Sequence, residues 1–137
     1  MKALDTSLLL AVLQGESGVR EFVRRLHGLE IATTEANLLE LAAIVAQDRT
    51  RRPTSRMEAL KRLRRKLTVL PVDAHATEAS VSGLRTAAGP VSPLVVGMMG
   101  ALESSGCEEL LTLDRVAIPG AWRFRITQVK LSHTKAR

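Results

Sequence analysis

Short apolar runs alternate along the 137 residues with stretches whose apolar positions recur every three or four residues. Lys2 to Asp5 reads as a buried opening strand, followed at once by Thr6-Ser7 and the apolar run Leu8 to Leu13. A hydroxyl of Thr6 or Ser7 would cap that run as a helix by accepting an orphan backbone N–H. From Val19 to Leu26 the apolar Val19, Phe22, Val23 and Leu26 share one helical face opposite Arg20, Glu21, Arg24 and Arg25, and Gly28 closes the segment. Leu29 to Ala32 reads as a second strand. Thr33-Thr34 would then cap a helix from Glu35 to about Gln47, whose apolar face carries Leu38, Leu39, Leu41, Ala42 and Val45.

Asp48 to Ser55 is a polar, basic connection containing Pro53, and a helix from about Arg56 to Lys66 turns Met57, Leu60 and Leu63 inward. Leu67 to Val72 gives a third strand. Asp73 caps a helix over Ala74 to Ala87 that Gly89-Pro90 ends, and Pro93 opens another from Leu94 to Ser104, where its missing N–H had no partner to lose. Glu109 to Leu113 forms a fourth strand ending at Asp114, and Trp122 to Ile126 a fifth. Strands separated by helices predict an α/β protein with a mostly parallel sheet of about five strands, covered on both faces. The expected organisation is one domain over residues 1–127 and a basic C-terminal tail over 128–137.

Composition narrows the chemistry. Phe22, Phe124 and Trp122 are the whole aromatic inventory, so the core must be aliphatic and binding of single strands by base stacking is disfavoured. Cys107 has no second cysteine to pair with, and His27, His75 and His133 are too scattered for a zinc site. An acidic residue at position 5 interrupts any signal-like run and no apolar stretch is long enough to span a bilayer, which predicts a cytoplasmic protein away from membranes. The net charge of +6 favours phosphate-bearing or acidic partners. Much of it lies between Arg49 and Lys66, where Arg49, Arg51, Arg52, Arg56, Arg62 and Arg65 are candidate nucleic-acid contacts. The same run is as compatible with a solvated face or with an acidic segment of another protein.

In a parallel α/β sheet the functional crevice lies beyond the carboxyl ends of the strands. Asp5 and Asp114 fall at such ends, and Glu40 sits in the second turn of a helix that starts from the same edge. Three acids converging in a semi-buried cleft repel one another unless a divalent cation neutralises them. Hard oxygen ligands suit magnesium or manganese. A site of that kind supports hydrolysis of a phosphodiester.

Leu4-Asp5-Thr6-Ser7, Thr33-Thr34-Glu35-Ala36-Asn37-Leu38-Leu39-Glu40-Leu41 and Leu110-Leu111-Thr112-Leu113-Asp114 each hold one of these acids. In order and spacing they resemble, respectively, the opening motif, the second-acid segment, and the final strand and acid of the PIN-domain family. The resemblance extends over nearly the whole chain, including the strand exit Leu70-Pro71-Val72-Asp73. It implies a three-layer α/β/α sandwich and a Mg2+- or Mn2+-dependent ribonuclease. Small prokaryotic members are commonly VapC-type toxins, homodimeric and held inactive by a cognate antitoxin. Carried over by residue, Asp5, Glu40 and Asp114 match metal-binding and catalytic acids, Thr112 matches a supporting hydroxyl, and Thr6 stands beside the first acid. One position departs from the pattern. The family usually has an aspartate near Leu94 or Val95, where Ser92-Pro93-Leu94-Val95-Val96 offers no carboxylate. That departure implies an alternative, a catalytically weakened PIN domain that binds RNA or protein as a regulatory module.

Overall fold

The computed structural model describes residues 1–49, 53–84, 91–115 and 120–131. Arg51, Arg52, the Gly89-Pro90 stop and residues 132–137 of the expected tail lie outside the described residues. The elements follow in the order β1 (Lys2–Leu4), α1 (Thr6–Gln14), α2 (Val19–Arg25), β2 (Ile31–Thr34), α3 (Glu35–Gln47), α4 (Pro53–Arg65), β3 (Thr68–Leu70), α5 (Ala74–Gly83), α6 (Pro93–Ser104), β4 (Glu109–Thr112) and β5 (Arg125–Gln128).

The strands form one sheet in the order β3-β2-β1-β4-β5, and every neighbouring pair is parallel. β1 is central: the chain builds outward through β2 and β3, then crosses back to add β4 and β5 on the other side. Successive side chains of a strand point to opposite faces, and the two halves of the core follow that rule. Ala3 and Leu110 belong to one cluster with Ala76, Met99, Ala101 and Leu102 of α5 and α6. Leu4 and Leu111 belong to the other with Leu8, Leu9, Phe22, Leu41 and Leu60 of α1 to α4. The helices therefore lie on both faces, as a three-layer sandwich requires.

β4 is buried along its whole length, including Glu109 at its start. That carboxylate accepts from Thr127 at 2.6 Å and pairs with Lys2 at 3.2 Å. Those partners, the Thr127 hydroxyl foremost, hold Glu109 below the ordinary carboxylate value. It stitches three adjacent strands together at the sheet edge opposite their carboxyl ends.

Several boundaries differ from the sequence reading. β2 lies at Ile31–Thr34 and not at Leu29–Ala32, because backbone turns carry the chain past Leu26–Leu29 and the branched Thr33 and Thr34 fit a fully buried strand end. Thr34 alone caps α3. α1 is capped by Asp5, whose carboxylate accepts the Leu8 N–H, and not by Thr6 or Ser7. α4 starts at Pro53, where the fixed φ suits a first helical residue. α5 ends at Gly83, against which the Trp122 ring packs closely enough to exclude a Cβ. Trp122 pairs with Phe124 at 5.8 Å between ring centroids, and β5 begins at Arg125, where the ladder to β4 starts. Met98 and Met99, readable from the sequence as helix or dimer packing, are buried inside this chain.

Candidate functional site

The ends of β1 and β4 open at the point where the strand order reverses, the place a parallel α/β sheet offers for a ligand. Asp5 leaves β1 there, its N–H donating to the Leu111 carbonyl at 3.2 Å, so the sheet ladder itself fixes its backbone. The residue is 8% exposed. Its Oδ1 accepts the Leu8 N–H at 3.2 Å and the Ser7 hydroxyl at 2.6 Å. Burial pushes the Asp5 carboxyl above the ordinary value of 3.8. Hydrogen bonds from Ser7, Thr112 and the Leu8 N–H pull the other way, and the negative charge of Asp114 adds to the upward push.

Asp114 follows β4, and its N–H donates to the Thr112 hydroxyl at 3.1 Å. Glu40 reaches the same place from α3. The three acids line one cavity of about 120 Å3 together with Thr6, Ser7 and Asn37. Its remaining wall is apolar, made by Ala36 and by Leu94, Val95 and Met98 of α6, the helix on which the resemblance would place a further acid. Among the described residues no lysine, arginine or histidine lines the cavity.

The Thr112 hydroxyl lies 3.3 Å from the Ser7 hydroxyl and accepts the Asp114 N–H at 3.1 Å. Thr6 does not bond Asp5: its hydroxyl donates to the Asn37 carbonyl at 3.4 Å and accepts from Asn37 Nδ2 at 3.2 Å, joining α1 to α3. Of the candidate basic contacts, Arg49 and Arg65 are exposed on the surface. Arg56 and Arg62 line other hollows against α1. None of these borders the acidic cavity.

Two residues escaped the sequence reading. Asn37, buried to 6% exposure, accepts from Thr34 at 2.7 Å and donates to Thr6 and to the Met98 sulfur. The signal for it was the Thr34-x-x-Asn37 spacing, a polar third residue opposite a hydroxyl cap, set among apolar neighbours. Ser7 is the hydroxyl that meets the Asp5 carboxylate. Its place two residues beyond the cap was readable, but its approach to β4 was not.

By donor type the cavity suits a hard divalent cation, since carboxylates and hydroxyls converge there and no cationic side chain among the described residues balances them. As they lie, the acids share the cavity without forming one coordination shell: among the described residues no three His, Cys, Asp or Glu side chains are gathered to hold an ion together.

Solved structures share the whole architecture. A chain in the structure of VapBC2 from Rickettsia felis bound to a promoter DNA fragment matches with a TM-score of 0.75 at 12% identity, covering 94% of this chain and 98% of that one. A chain of VapBC-5, a toxin–antitoxin system member from Mycobacterium tuberculosis, matches at 0.68 with 24% identity over 93% and 98%. Mycobacterium tuberculosis VapC20, described as a toxin that cleaves the sarcin–ricin loop, matches at 0.61 with 17% identity over 80% and 87%. No curated protein matches the sequence. The family model of the PIN domain matches residues 2–94, more than half of the chain. The chain belongs to the PIN domain family.

Proposed function

We propose that this protein is a ribonuclease toxin of the VapC type, which hydrolyses RNA phosphodiester bonds with Mg2+ or Mn2+ held by Asp5, Glu40 and Asp114. The observation that carries the reading is the convergence of those three carboxylates, from three separate elements, on one cavity that no lysine, arginine or histidine among the described residues lines. A bound divalent cation supplies a water of lowered pKa and neutralises charge on the phosphate. The chain's own groups do the rest. Asp5 is presented by the β1–α1 junction, Asp114 by the end of β4, and Glu40 by an α3 whose first turns Asn37 locks onto α1. The net charge of +6 draws the polyanion in.

Membership of the PIN family supports the hydrolase chemistry, and the toxin–antitoxin complexes among the structural neighbours support a protein antitoxin as partner. A homodimer and a cytoplasmic site of action belong to the same reading. Cleavage of a labelled structured RNA by wild type and by Asp5→Asn, with Mg2+, Mn2+ or chelator, tests it. Metal-dependent cutting lost in the variant is the expected result. A folded wild type that never cuts would turn the assignment to the second reading, a module that binds RNA or protein. The apolar wall of Leu94, Val95 and Met98 favours that second reading, because it leaves one side of the cavity without a ligand.

A further inference from the structure

We propose that Ser7 is a positioning residue of the acidic cavity: its hydroxyl ties the Asp5 carboxylate to the backbone that carries Asp114, and so sets how the two acids face each other. The proposal rests on the nuclease reading and deepens it.

β1 and β4 are held together by the sheet as far as the bond from the Asp5 N–H to the Leu111 carbonyl. Beyond that point the chain diverges, into α1 on one side and into Leu113–Asp114 on the other. Ser7 bridges the divergence. Its hydroxyl lies 2.6 Å from Asp5 Oδ1, accepts the Leu113 N–H at 3.0 Å, and stands 3.3 Å from the Thr112 hydroxyl, which in turn accepts the Asp114 N–H at 3.1 Å. A hydroxyl has one proton and two lone pairs, while an ionised carboxylate only accepts. The Ser7 proton therefore goes to Asp5, and a lone pair is left for the Leu113 N–H just beyond β4. A separation of 2.6 Å is that of a strong, charge-assisted bond.

A serine in the first turn of a helix commonly serves its own backbone. This one spends its proton on the carboxylate and a lone pair on the Leu113 N–H, about a hundred residues away in sequence, and it lines the cavity itself. Groups that orient a metal-binding carboxylate without binding the ion typically change affinity or rate by about 10–100-fold when removed.

The test uses the full chain with Ser7→Ala, Ser7→Cys and Ser7→Thr. Mn2+ affinity is read by electron paramagnetic resonance, kcat and KM by RNA cleavage, and folding by circular dichroism melts. The expected result is that Ala and Cys weaken Mn2+ binding and lower kcat by about 10–100-fold with KM for RNA unchanged. Thr should preserve both. Cys keeps the shape of serine and loses the strong donor, so it reads the hydrogen bond even if Ala perturbs packing. Wild-type Mn2+ affinity in Ser7→Ala or Ser7→Cys would overturn the proposal alone. A wild type that neither binds Mn2+ nor cuts RNA would overturn the nuclease reading and this one with it.

Discussion

Asp5 does two jobs that oppose each other energetically. As the cap of α1 it presents a carboxylate oxygen to the Leu8 N–H, and as a residue only 8% exposed it resists carrying a charge there. Burial is the larger influence, so its folded-state pKa lies above 3.8. A raised carboxyl contributes stability that is fully present below the unfolded value and lost as pH rises through the folded one. In chelator at pH 7, Asp5→Asn is therefore expected to melt a few degrees above wild type, since asparagine caps a helix without an ionisation cost. The gap should close as the pH is lowered below about 3.8, and a melt series at several pH values checks it. Equal melting of the two proteins at pH 7 would mean that the Ser7, Thr112 and Leu8 bonds already offset the burial. The identity of Asp5 as a candidate was readable from its place between an apolar strand and a helix. Its cost was not, because burial depends on α3 and α6, which come from elsewhere in the chain.

α5 and α6 are packed so closely that glycine decides their spacing. A Cβ on Gly100 would collide with the Ser80 hydroxyl and the Ala76 backbone, whereas one on Gly97 would sit at ordinary van der Waals distance, 3.4 Å from Val72 and 3.6 Å from Ala36. Gly100→Ala is expected to destabilise by about 1–3 kcal/mol through overpacking. Gly97→Ala should be neutral or stabilising by up to about 1 kcal/mol, because alanine is the better helix former. Urea denaturation of both variants decides it, and similar midpoints would contradict the close approach of the two helices. The existence and order of the helices were legible in the period of Leu, Val and Ala. Which of the two glycines is indispensable was not, since nothing in Gly97-Met98-Met99-Gly100 says which face meets α5. The same holds for β2: its apolar start at Leu29 looked like strand, but a turn through Gly28 delays the ladder to Ile31.

Charge is distributed unevenly over the whole molecule. The acidic cavity sits at the carboxyl edge of the sheet, while the last turn of α4 carries Arg62, Arg64 and Arg65, all exposed and without an ion pair among the described residues. None of them borders the cavity. If this face holds RNA phosphates, replacing the three by alanine should weaken RNA binding and reduce the log–log salt slope by about 0.7 for each single-strand phosphate they neutralise. The kcat at saturating RNA should be unchanged. Filter binding between low and moderate salt measures it, and an unaltered slope would assign the face to water or to an acidic protein partner.

The sequence by itself determined the class of fold, the alternation of strands and helices, and the choice of Asp5, Glu40 and Asp114 as candidate acids, because hydrophobic period and the placement of charges at strand ends are local properties of the chain. Only the tertiary structure decided what surrounds those acids. It brought Ser7 from Asp5 onto β4, turned Thr6 away toward Asn37, and set an apolar face of α6 opposite the carboxylates. The bonds from Ser7 to Leu113, from Asn37 to Thr6 and from Asn37 to Met98 each join residues 31 or more positions apart. Their geometry depends on strand order and helix packing, which no local pattern encodes.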